Sequence, residues 1–140
     1  MTTRIALLAI ILLTLSLDIA AQSAEKTFAK SFNTEEKGTI VLDLPGSIDL
    51  KVWDNPYVRI NITVSIPTGN NAMLGELANA GRYNLISKAN GNALSITAPN
   101  MQKQIRIKGE ELRETLTFVV FVPKDLKIEM PNAEAFAAKR

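Results

Sequence analysis

The sequence predicts an all-β domain, an antiparallel-rich sandwich or a β-roll or β-helix-like stack, with one short helix. Three observations carry that expectation. From Phe28 onward apolar and polar residues alternate with period two, the mark of strands with one buried face. The apolar positions hold mostly isoleucine, valine and leucine, and β-branched side chains suit a pleated surface. Turn signals recur at roughly ten-residue spacing, as they do in all-β folds.

The first stretch, "MTTRIALLAIILLTLSLDIAAQSAEK", stands apart from this pattern. Arg4 precedes an apolar run from Ile5 to Leu17, and small residues follow, the layout of a secretory signal peptide. Ala21-Gln22-Ser23 fits the small-x-small rule for cleavage after Ser23 or Ala24. The apolar run is about 13 residues where a spanning helix needs roughly 20, and Asp18 ends it. The expected organisation is a signal peptide over 1–23, a single β-domain over 24–133 and a flexible tail over 134–140.

Along the domain, Ile40, Leu42 and Leu44 face one way with Val41 and Asp43 opposite, and Pro45-Gly46 turns the chain. Ile48, Leu50 and Val52 then alternate with Asp49, Lys51 and Trp53. Asp54-Asn55-Pro56 supplies a bend. The series Val58, Ile60, Ile62, Val64, Ile66 follows and stops at Pro67. The stretch from Asn71 to Ala80 is the one helical candidate, with Asn70 or Asn71 as cap, Met73, Leu74 and Leu77 as apolar stripe and Gly81 at its end. Asn90-Gly91 between strand-like runs signals a hairpin. A short strand in "KQIRIK", a turn near Gly109 and a long strand from Glu114 to Val122 come next, then Pro123-Lys124-Asp125 turns into Leu126, Ile128 and Met130. On the long strand Leu116, Phe118, Val120 and Val122 form one apolar face. Val119 and Phe121 make the other apolar too, so the helix is the expected cover for that second face.

The composition excludes much chemistry. With 140 residues, no histidine and no cysteine, the chain has no imidazole base, no thiol nucleophile and no ordinary zinc ligand set. An exported domain without cysteine holds together by its apolar core alone, and no N-terminal lipid acceptor exists. The net charge of +2 is spread along the chain and, with export, argues against nucleic acid as a partner. Glu110, Glu111 and Glu114 read as a solvated turn rather than a facing carboxylate pair. Asp43, Asp49 and Asp54 read as solvent-facing rather than as a calcium site. No enzyme activity, cofactor or metal is expected.

The strand "KTFAKSF", the unit "GSIDLKVWDNPYVRINITV" and the terminal "FVVFVPKDLKIEMPNA" resemble bacterial adhesin-like domains of unknown function, of the auto-transporter adhesin head-domain type. The resemblance spans most of Phe28 to Ala133. It implies an exported envelope protein of a Gram-negative bacterium, periplasmic or extracellular, built as a β-roll or β-helix-like stack without catalytic residues.

The expected function is therefore a non-enzymatic, adhesin-like envelope domain that contacts a protein or glycan and has no stable membrane span after processing. The candidate binding residues are Trp53, Tyr57 and Arg59 around the Asp-Asn-Pro bend, and Arg106 and Lys108 on the basic strand, where Lys103 lies near. Trp53 and Tyr57 are expected to stack on each other across the ladder of the two strands that the bend joins. A periplasmic carrier would instead need an apolar cavity lined by Met73, Leu77 and Phe121, and a carboxylate-based hydrolase would need two acids in one cleft.

Overall fold

The computed structural model describes residues 23–132. The expected signal peptide (Ser23 apart) and the expected tail lie outside the described residues. The elements run β1 Ala24–Asn33, β2 Thr39–Asp43, β3 Ser47–Trp53, β4 Tyr57–Ile66, α1 Asn71–Asn79, β5 Ile86–Asn90, β6 Ala93–Thr97, β7 Arg106–Ile107, β8 Glu110–Glu111, β9 Thr115–Pro123 and β10 Lys127–Glu129. Over the described residues the protein is all-β with one short helix, as the alternation predicts.

Two four-stranded sheets face each other. The first has the order β1-β4-β9-β3 and the second β10-β2-β6-β5, while β7 and β8 form a separate hairpin. Four pairings are antiparallel and three are parallel. Two of the parallel ladders, β3–β9 and β10–β2, are joined to each other by short corners, β2 turning through 44–46 into β3 and β9 through 124–126 into β10. Each such unit changes sheet at a short corner, which gives this flank the character of a stacked roll. No helix among the described residues is long and apolar enough to cross a membrane.

The core follows the alternation. Ile40, Leu42, Leu94 and Ile96 from the second sheet meet Val58, Ile60, Ile62, Val64, Phe118, Val120 and Val122 from the first, all essentially without solvent contact. Burying each such side chain contributes roughly 1.5–3 kcal/mol before the entropy of ordering is subtracted. No disulfide is available to replace that.

Three local expectations shift. The β3–β4 bend does not join neighbouring strands, because β9 lies between them and pairs with both. The hairpin turn is Gly91-Asn92 rather than Asn90-Gly91: Asn90 still pairs with Ala93, and Gly91 takes φ 60° at the first turn position. Asn92 then serves the next layer, its side-chain carbonyl accepting from Gly38 N–H at 3.0 Å and its backbone carbonyl from Thr39 N–H at 3.2 Å.

The third concerns the helix cover. The Asn70 side chain accepts from Met73 N–H at 2.8 Å and caps α1. At the other end Gly81, at φ +88°, donates to the Ala78 carbonyl while Arg82 N–H reaches the Leu77 carbonyl. That paired closure is a Schellman motif and favours glycine where it stands. Leu74 enters the core, so α1 packs on the inward side of β1. Val119 and Phe121 point the opposite way, away from the helix, because their neighbours Phe118 and Val120 are the buried ones. The cover over Phe121 is Trp53 instead.

Candidate functional site

The outward face of the first sheet is polar for most of its length. Thr27, Thr63 and Thr117 lie in one row, and Ala29, Asn61, Val119 and Asp49 in the next. Toward the ends of β3 and β9 the character changes. Phe121 sits between Lys51 and Arg59, and Trp53 sits beside Pro123. The chain leaving β3 must cross the end of β9 to reach β4, and the Trp53 side chain makes that crossing with it. Its indole N–H donates to the Tyr57 carbonyl at 2.9 Å. Its ring meets Tyr57 edge-on at a centroid distance of 4.9 Å and lies tilted over Phe121 at 5.1 Å. Each such aromatic contact contributes about 0.5–1.5 kcal/mol beyond area burial.

The outcome is a rigid three-ring patch that stays half-buried and half open to solvent. Arg59 is exposed beside it, with Nε held by Asn61 Oδ1 at 3.2 Å. Lys124 pairs with Asp54 at the rim, but both side chains are largely exposed and such pairs contribute little. Trp53, Tyr57 and Arg59 are therefore brought together. Trp53 and Tyr57 meet as expected, though across the end of an intervening strand rather than as ladder neighbours.

Arg106 and Lys108 are not part of this patch. They lie on the β7–β8 hairpin, which precedes the start of β9, whereas Trp53 is beside its end. The expected basic strand is cut short to Arg106–Ile107, and Lys108 sits in the turn with Gly109, both at positive φ. A two-residue turn with both residues left-handed closes a tight hairpin, so the basic side chains project from a loop tip rather than forming a stripe. Beside the hairpin, Ile107, Leu112, Met73 and Pro67 border an open groove of about 680 Å³.

A second cluster escapes sequence reasoning. Glu114 belongs to no solvated turn: its side chain is 7% exposed and pairs with Arg82, itself 8% exposed. The Tyr83 hydroxyl donates to the other carboxylate oxygen at 3.0 Å. The Arg82 guanidinium also donates to the backbone carbonyls of Asn100, Met101 and Lys103, which fastens the loop after β6 to the residues after α1. Burial first, and then the Glu114 carboxylate, push the Tyr83 phenol well above its usual range. A signal for this site existed. Glu114 has the same strand parity as Leu116 and Phe118, so the alternation points it inward, where a carboxylate needs a cation.

The alternative sites are not assembled. Met73 borders the groove, Leu77 packs against the core, and Phe121 lies on the far face of the first sheet, so the three do not share a cavity. The notch beside the helix, lined by Phe28, Ile62, Ala78 and Tyr83, measures about 160 Å³, well below the size of usual ligand pockets. Asp43, Asp49 and Asp54 fall on β2, β3 and the corner after it, and Asp43 is held by Asn132. Among the described residues no three carboxylates gather as a metal site.

No known protein family and no curated protein matches the chain. Among solved structures, one described as a "putative cell adhesion protein" from Clostridium sporogenes ATCC 15579 aligns with a TM-score of 0.42 and 10% identity. The alignment covers 76% of this chain and 45% of that one, so this chain spans less than half of that protein's length.

Proposed function

We propose that this chain is a non-enzymatic domain exported to the cell envelope, periplasmic or extracellular, where it acts by adhesin-like contact with an envelope protein or glycan. One observation carries the reading: the Trp53–Tyr57–Phe121 patch, preorganised and open on one side, with Arg59 beside it. Tryptophan, tyrosine and arginine dominate binding energy where proteins meet, because they offer large contact area at low entropic cost. Export is supported by the apolar run from Ile5 to Leu17 and by the small residues after it. Ala24 opens β1 and is 3% exposed, so a cut after Ser23 leaves the strand whole.

The test is capture from a bacterial envelope extract by the wild-type domain and by Trp53→Ala, with protein and glycan scored separately. The wild type captures a defined component and the variant loses most of it while keeping its fold. Equal capture by both removes the patch from the account.

A further inference from the structure

The aromatic patch does not end at Tyr57. By register Trp53, Pro123, Tyr57 and Asn33 stand in one outward row across the end of the first sheet, and Lys51, Phe121, Arg59 and Ser31 in the next. The three strand spacings from β3 to β1 make each row about 14 Å long. Beside Tyr57 the surface opens into a cleft of about 450 Å³, bordered by Ser31, Asn33, Thr34, Glu36 and Pro56. That volume falls within the range of usual ligand sites. Tyr57 belongs to both patch and cleft, so the two are continuous.

The chemistry of this strip selects its occupant. Asn33 spends its side-chain carbonyl on Glu35 N–H at 2.8 Å, which fixes the turn after β1. Among the described residues no hydrogen bond engages its amide group, the Ser31, Thr34 and Tyr57 hydroxyls or the Glu36 carboxylate. Half-open rings thus lie next to donors and acceptors that still have capacity. A sugar ring is the complement of such a strip. The C–H groups of its flat side suit the negative face of an aromatic ring, and its rim carries hydroxyls that both donate and accept. The bordering charges balance: Lys51 and Lys124 have carboxylate partners in Asp49 and Asp54, while Arg59 and Glu36 add one charge of each sign. No field of one sign draws a polyanion or a polycation here. A protein partner would need apolar area at the centre of the contact. Yet the large hydrophobics that stand exposed among the described residues, Val52 and Ile86, lie on the inward register of β3 and on the second sheet. We infer that patch and cleft form one site for an uncharged oligosaccharide. Its rings stack on Trp53 and Tyr57, and the next ring enters the cleft, where its hydroxyls meet Asn33 and Glu36. The inference rests on the contact reading proposed above and narrows its partner to a glycan.

The test repeats the capture from envelope extract after two separate treatments of that extract. Metaperiodate, quenched before use, cleaves the vicinal diols of sugars. Proteinase K, inactivated before use, digests protein. Wild-type capture survives the protease and is lost after periodate, and heparin, a polyanion, does not compete for it. Asn33 and Glu36 are exposed, so Asn33→Asp and Glu36→Gln keep the fold, and the first also keeps the acceptor for Glu35 N–H. Each raises the dissociation constant for the captured glycan roughly tenfold, through the hydrogen bonds it removes or weakens. Capture that needs Trp53 but resists periodate and is lost to protease overturns the glycan and leaves the contact reading standing. Competition by heparin overturns the uncharged class, and glycan capture unchanged in both cleft variants overturns the joint site. Equal capture by wild type and Trp53→Ala from untreated extract removes the contact reading itself, and this inference with it.

Discussion

Two clusters built from aromatic and charged side chains lie at opposite ends of β9. At its start, Arg82, Tyr83 and Glu114 are buried and spend nearly all their hydrogen-bonding capacity on one another and on loop carbonyls. At its end, Trp53, Tyr57 and Phe121 touch one another but leave faces open. The first has the residue types of an active site and the connections of a fastener. The second has no reactive group and the geometry of a contact surface. Chemical type alone favours the first cluster as a site, whereas the destination of each hydrogen bond favours the second as the contact surface proposed above.

Removing one member of each cluster separates these roles. The largest effect belongs to Glu114→Ala, which leaves the Arg82 charge buried without its carboxylate. It costs about 3–5 kcal/mol of stability, read as a lower midpoint in urea unfolding. Tyr83→Phe costs about 2 kcal/mol, because a hydrogen bond to a charged acceptor is lost. It also changes the alkaline limb. The folded phenol keeps its proton above about pH 10, where the unfolded chain has released it. Wild-type stability is therefore full below that pH and falls above it by about 1.4 kcal/mol per unit, a fall that Tyr83→Phe removes from the pH dependence of unfolding. Trp53→Ala costs about 1–2 kcal/mol through its two ring contacts, leaves the domain folded by circular dichroism and removes most of the capture. The smallest effect is that of Asn70→Ala, about 1 kcal/mol from the lost helix cap, seen in thermal melts with capture unchanged.

Much of the fold is legible in the chain. The period-two runs name every buried position of β2, β4 and β9, and Asn70 and Gly81 bracket the helix to within a residue or two. What stays hidden is strand order. Alternation says which face of β3 and β4 is buried, yet nothing local says that β9 will insert between them. The helix cover fails for the same reason, since either face of the long strand offered an apolar surface. Half of the candidate site is legible, because Trp53, Tyr57 and Arg59 share an outward register close together in sequence. Phe121 enters only through pairing with a strand some sixty residues away, and Arg106 and Lys108 lie apart from the patch, where a tight turn replaces the expected longer strand.

Trp53 is the sole tryptophan, so the intrinsic fluorescence of the protein reports on the patch itself. The most direct measurement is its emission spectrum during titration with the component captured from the envelope extract. Contact through the patch predicts a blue shift or quenching that saturates with binding. Saturable binding with an unchanged tryptophan spectrum would contradict it.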